Sequence, residues 1–124
     1  MKILGVDWGE KRIGLAIAEG SLAEPLGVVD SVEKLLEIAK KEGVERIVLG
    51  LPEGRHEKKV KELGRRLEKE LGVEVIFRGE VLSTETALKV AIEVGRGKKA
   101  RRRLDALAAA ILLQEYLDSV GESR

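Results

Sequence analysis

An α/β fold, a mixed sheet with helices on its faces, is what the sequence predicts. Two patterns predict it: three short, β-branched apolar runs precede the first helical periodicity, and helix and strand patterns alternate after it. The length agrees. A chain of 124 residues accommodates one domain, expected over 1–124, and can bury about two-thirds of the surface its unfolded form exposes.

The elements follow in order. Ile3, Leu4 and Val6, then Ile13, Leu15 and Ile17, form two apolar runs separated by Gly9, Glu10, Lys11 and Arg12, the pattern of a hairpin. Leu26 to Val29 reads as a third strand. Asp30 followed by Glu33 fits a capping-box start, and Leu35, Leu36, Ile38 and Ala39 supply an apolar helix face until Gly43. Ile47, Val48 and Leu49 form a short, continuously apolar segment of the kind buried on both faces, ended by Gly50 and Pro52. Val60, Leu63, Leu67 and Leu71 recur at helical spacing until Gly72, and Val73 to Phe77 reads as the next strand. Ser83 or Thr84 caps a further helix carrying Ala87, Leu88 and Ala91, which Gly95 and Gly97 break. From Leu104 the run DALAAAILLQEYLDSV predicts a last helix whose first half is buried.

Composition narrows the function. The absence of cysteine excludes disulfides, thiolate zinc and a cysteine nucleophile. No apolar run approaches the roughly 18 to 20 residues of a membrane span, and the opening MKILGVDWGEKR lacks a secretion signal's apolar stretch, so no membrane partner and a cytoplasmic location are expected. The net charge of +1 conceals an uneven distribution. Six of the 23 Lys plus Arg lie in RGKKARRR, as Arg96, Lys98, Lys99, Arg101, Arg102 and Arg103, which leaves 17 cations against 22 Asp plus Glu elsewhere. Such a run is either a solvated loop or a phosphate-contacting arm, since cations that neutralise phosphates release condensed counterions.

Three carboxylates stand where polar groups need an explanation. Asp7 interrupts an apolar strand-like run, Glu80 lies just beyond the strand ending at Phe77, and Asp105 opens an otherwise apolar helix. Carboxylates at strand ends and a helix start can converge, and a divalent cation relieves their mutual repulsion. Oxygen ligands favour Mg²⁺ or Mn²⁺ over zinc, and two such ions can activate a water and stabilise the leaving oxygen in phosphodiester hydrolysis. Taken singly, each has a structural explanation as well: Asp7 holding the following turn, Glu80 favouring a helix N-terminus, Asp105 complementing the dipole of the last helix.

The segment from Asp7 to Ala16, DWGEKRIGLA, resembles the first motif of the YqgF/RuvX family of Holliday junction resolvases, also described as pre-16S rRNA nucleases. The resemblance continues through Ala23, Glu24, Pro25 and Leu26, through Val48 to Pro52, through Leu82, Ser83, Thr84, Glu85 and Ala87, and through Leu104 to Ala109 with the helix that follows. It implies a ribonuclease H-like fold, with a mixed five-stranded sheet whose first three strands are antiparallel and with helices on both faces. It also implies that Asp7, Glu80 and Asp105 are the catalytic, metal-binding acids of a Mg²⁺- or Mn²⁺-dependent nuclease. Lys11 and Arg12 match the family's basic pair, which either contacts a phosphate or braces the hairpin. Ser83 and Thr84 match its Ser-Thr helix start, as a cap or as support for Glu80. The nucleic-acid partner implied is a precursor rRNA or branched DNA, and two symmetric cuts in a junction would favour a homodimer. This sequence departs from the family's Asp-Glu-Arg triplet at Gly79, Glu80 and Val81, and its loop Glu53, Gly54, Arg55 is short.

Other residues are read as structural. His56 is expected to face solvent, Trp8 to join the core and Tyr116 to pack the last helix. Three aromatic residues in all cannot build an aromatic platform for single strands. Gly9 and Gly14 permit a tight turn, which also fits the phosphate-gripping turn of actin-like kinases, but those proteins are much larger and two-lobed. Two functions of different class remain: a metal-dependent endonuclease with Arg96 to Arg103 as a mobile basic arm, and a catalytically silent nucleic-acid-binding or assembly domain with the same fold, to which the altered triplet at Gly79 to Val81 points.

Overall fold

A computed structural model describes residues 1–52, 54–79 and 98–122. Strands β1 (Ile3–Trp8), β2 (Ile13–Ala18) and β3 (Ala23–Val29) are followed by helix α1 (Val32–Glu42), β4 (Arg46–Leu51), α2 (Glu57–Leu71) and β5 (Glu74–Gly79), and the long helix α3 (Lys98–Glu122) closes the described chain. The five strands form one sheet in the order β3-β2-β1-β4-β5. The hairpin β1/β2 and the pair β2/β3 are antiparallel, whereas β1/β4 and β4/β5 are parallel. The mixed sheet with three antiparallel strands at its start is therefore as expected. The carboxyl ends of β1, β4 and β5 share one edge, where open α/β sheets gather their sites.

Side-chain alternation divides the core in two. Leu4, Val6, Leu15, Ile47 and Leu49 point to one face and bury Leu35 and Leu36 of α1 and Val60, Leu63 and Leu67 of α2. Ile3, Ala16, Ala18 and Val48 point to the other and meet Ala109, Leu112, Leu113 and Tyr116 of α3. Helices thus cover both faces. The α1/α2 side is filled with leucine, isoleucine and valine, each burial worth about 1.5–3 kcal/mol. The α3 side has an alanine- and glycine-rich contact zone that brings backbones together.

Two glycines set that approach. A Cβ on Gly5 would lie 2.8 Å from Leu113 Cβ and 3.0 Å from the Ala109 carbonyl oxygen. At Gly14 it would strike the Asp105 carbonyl oxygen and lie 2.5 Å from the carbonyl carbon. Gly14, expected in a tight turn, lies inside β2, opposite Asp7 of β1. Its small size is used by a helix rather than by a turn.

Three further expectations shift. The cap of α1 is Ser31, whose hydroxyl accepts from the Lys34 N–H, while Asp30 pairs with the Lys34 ammonium at 2.9 Å. The third strand begins at Ala23 rather than Leu26, and its pairing with β2 skips Leu26 as a bulge. The last helix begins at Lys98, so Lys98 to Arg103 belong to its first two turns instead of a mobile arm. The helix expected from Ser83 or Thr84 lies outside the described residues.

Gly14→Ala is expected to lower unfolding free energy by about 1–3 kcal/mol in urea titrations, because helix backbone and not a flexible side chain fills the space. Gly20→Ala, with nothing within 4 Å of the added carbon, should change it by less than about 0.5 kcal/mol.

Candidate active site

Asp7 is the penultimate residue of β1, half-buried at the carboxyl edge of the parallel strands. Ile3 packs against α3 and Gly5 abuts Leu113, so alternation puts position 7 on the α3 side as well. Its cross-strand partner is Gly14, and against Gly14 rests the backbone of Asp105. Asp7 and Asp105, far apart in sequence, are thereby neighbours across one glycine. Helix α3 runs opposite to β1, with Asp105 at the level of Asp7 and Leu113 at the level of Gly5.

Arg12, at the end of the β1–β2 turn, closes the arrangement. Its Nε donates to Asp105 Oδ2 at 2.5 Å, with side-chain exposures of 36% and 29%. A charge-assisted bond of this kind orients the carboxylate and places a guanidinium at the mouth of the site. Lys11 is exposed in the same turn. Gly9 keeps the turn tight, since a Cβ there would lie 2.7 Å from the Arg12 carbonyl oxygen. Asp105 is eight residues into α3, beyond the first turn over which a helix dipole acts, so the dipole explanation offered for it fails.

A small cleft next to Arg12 is lined by Val28, Val29, Asp30, Lys34 and Arg102. Lys34, which no motif singled out, joins Arg12 and Arg102 there because α1 starts at the same edge as α3. The Lys34 hydrogen bond holds the exposed Asp30 carboxyl below its ordinary range. Lys99, Arg102 and Arg103 are exposed on the first turns of α3, and Lys98 and Arg101 contribute backbone to the same turns. Glu80, Ser83, Thr84 and Arg96 lie outside the described residues. Among the described residues no group of three or more His, Asp or Glu side chains could hold a metal ion; Asp7 and Asp105 are the two acids whose backbones the packing of α3 brings together.

The residues read as structural have defined places. Trp8 packs on the α1/α2 core, as expected. His56, expected in solvent, is tucked against it, with ring centroids 5.4 Å apart and the His56 side chain 24% exposed. Its Nε2 lies 3.1 Å from Glu10 Oε1, which ties the β1–β2 turn to the start of α2. The sequence carries no signal for that contact, because it joins residues 46 positions apart in the chain. Tyr116 is buried under α3, and its hydroxyl accepts from Arg46 Nη1 at 3.0 Å.

A ribonuclease H-like sheet with Asp7 and Asp105 at the carboxyl edge of its parallel strands and cations around them accords with the class its relatives give, hydrolases acting on phosphodiester bonds. Residues 1–119 match the RuvX family, described as Holliday junction resolvase. A protein of Caldanaerobacter subterraneus subsp. tengcongensis named "Putative pre-16S rRNA nuclease" is 38% identical over 136 residues, covering 96% of this chain and 97% of that protein. One of the same name from Syntrophus aciditrophicus is 37% identical, covering 100% and 93%. The chain belongs to the RuvX family and is a nuclease of it. Among solved structures, T. thermophilus RuvC in complex with a Holliday junction superposes with a TM-score of 0.63 at 19% identity, over 96% of this chain and 94% of that one. The fowlpox virus resolvase with its junction DNA gives 0.65 at 12%, over 97% and 99%. Both share the fold.

Arg12→Ala separates orientation from stability. The ion pair is about one-third exposed on both sides, so its loss should cost about 1 kcal/mol or less in thermal or urea unfolding. Cleavage of a nucleic-acid substrate should fall by about tenfold or more, because a guanidinium leaves the site.

Proposed function

We propose that residues 1–124 act as one metal-dependent endonuclease domain that hydrolyses phosphodiester bonds in structured RNA, maturing the 5′ end of a 16S rRNA precursor in the cytoplasm. The observation that carries the reading is the contact of the Asp105 backbone with Gly14, which aligns Asp105 with Asp7 while Arg12 bonds its carboxylate. The substrate follows the relatives, which are 37–38% identical over nearly their whole lengths. A second reading, resolution of branched DNA, is favoured by the family's description as Holliday junction resolvase, and its two symmetric cuts would call for a homodimer.

The donor chemistry fits a hard divalent cation. Asp7 and Asp105 offer carboxylate oxygens only, the chain has no thiol, and Glu80 would supply a third carboxylate one residue beyond β5. These three residues would hold Mg²⁺ or Mn²⁺, one ion or two, and the metal when bound would activate the attacking water and offset charge on the leaving oxygen. The chain's own groups do the rest. Lys11 and Arg12 lie where a scissile phosphate would approach, and a guanidinium can grip two non-bridging oxygens while negative charge grows on them. Arg12 also orients Asp105, and Ser83 and Thr84 would cap or support the segment that carries Glu80. Along α3, Lys98, Lys99, Arg101, Arg102 and Arg103, preceded by Arg96, bind flanking phosphates and make affinity fall with salt. The helical setting of residues 98–103 gives them a rigid backbone.

Asp7→Asn and Asp105→Asn should each lower Mn²⁺-dependent cleavage of precursor rRNA by about a hundredfold or more with the folded far-UV spectrum retained. A chelator should abolish cleavage and added Mn²⁺ or Mg²⁺ restore it. Full activity in the double variant would remove Asp7 and Asp105 from the chemistry, and absence of wild-type cleavage with nucleic-acid binding retained would leave the silent binding domain as the surviving reading. A parallel assay on four-way DNA junctions decides between the two substrates.

A further inference from the structure

An open groove of about 500 Å³ runs between the edge strand β3 and the early turns of α3, within the range of about 300–1,000 Å³ that small-molecule sites occupy. Its walls are Pro25, Leu26 and Val28 on one side and Ala106 and Leu107 on the other, and Arg102 and Arg103 line it too. None of the apolar residues is needed by the Asp7–Asp105 pair. The bulge at Leu26 leaves that residue without a partner on β2, and its side chain lines the groove while 37% exposed. Bulges of this kind re-aim a side chain beside a site.

Three observations say what such a groove accommodates. First, it combines an apolar wall with two guanidinium groups, which suits a ligand with a flat apolar face and an anionic link. Second, it adjoins the Arg12 side of the candidate site. Arg102 and Val28 line both this groove and the smaller cleft that contains Arg12, the partner of Asp105. Third, the first turn of α3 holds cations and no acidic residue, so the positive end of the helix dipole adds to Lys99, Arg102 and Arg103.

We propose that this groove is a subsite for one unpaired nucleotide of the substrate next to the cut, its base against Leu26, Pro25 and Leu107 and its phosphates on Arg102 and Arg103. The proposal rests on the nuclease reading above. A base stacked within a duplex cannot turn its face to the groove, so the subsite selects substrates with an unstacked nucleotide beside the scissile bond. Contact is with aliphatic surface, since none of the chain's three aromatic residues lines the groove.

The test uses the full chain and oligonucleotides of one sequence in two forms, fully paired and with unpaired nucleotides flanking the cut, 2-aminopurine replacing each unpaired base in turn. Leu26→Ser, at an exposed position, should weaken binding of the unpaired form about tenfold and remove the 2-aminopurine signal at one position, leaving the paired form unchanged. Arg102→Ala combined with Arg103→Ala should weaken both forms and reduce the slope of log affinity against log salt by about two. Wild-type cleavage that Asp7→Asn abolishes, together with unchanged binding of both forms by Leu26→Ser, would overturn the subsite and leave the nuclease reading standing. Absence of wild-type cleavage would instead remove the nuclease reading. An acidic amphipathic peptide that binds wild type but not Leu26→Ser, with oligonucleotide binding unaffected, would assign the groove to a protein partner and overturn the proposal.

Discussion

The contact between α3 and the sheet at Gly14 and Gly5 is the constraint on which the site depends. A helix packed on a sheet through ordinary side chains stands well off the strands; here the two glycines remove the intervening Cβ atoms, and the Asp105 and Ala109 carbonyls come down on strand backbone. The consequence is geometric. A carboxylate at position 105 is carried to within one residue's width of a strand whose neighbour bears Asp7, and both are held by main chain. Precision of this sort belongs to rigid elements, and it would be lost if either carboxylate rode on a loop.

The two faces of the sheet divide the work accordingly. On the α1/α2 side, large side chains such as Leu35, Ile47, Leu49, Val60 and Leu67 are fully buried and supply most of the hydrophobic stabilisation. On the α3 side, close approach replaces bulk, with Ala16, Ala18, Ala106, Ala109 and Ala110 at the contact and Leu113 as the large anchor. Polar groups are gathered where the sheet ends: among the described residues no charged side chain is fully buried. Arg12 and Asp105 are each partly solvated, which lets the pair form at modest desolvation cost while leaving both accessible to a substrate.

The basic segment takes its meaning from the same helix. In a loop, Lys98 to Arg103 would be a diffuse cloud of charge. As the opening turns of α3, continuous with the residues that pack on the sheet, their backbone has fixed spacing relative to Asp105, and Arg102 lies beside Arg12 and Lys34. Ordering a rotamer-rich cation costs entropy, and a backbone already fixed by packing removes part of that cost before any ligand arrives. An acidic body with one cationic ridge is therefore electrostatically directional.

By itself the sequence determined the fold class, the five strands and most helix boundaries, because alternation at period two and apolar spacing at three and four residues are local properties of Ile3 to Ile17, Ile47 to Leu49 and Val60 to Leu71. It also marked Asp7 and Asp105 as costly where they stood. What it could not carry was long-range: that Gly14 serves a helix ninety residues further on rather than a turn, that Lys98 to Arg103 are helical, that His56 folds back on Trp8, and that the bulge at Leu26 opens a groove beside Arg102. A glycine reads the same whether its missing Cβ admits a turn or another backbone, and cations read the same in a loop or on a helix. Only the packing of α3 across β2 and β1 decides between them, since the energy that selects each outcome comes from atoms distant in the chain.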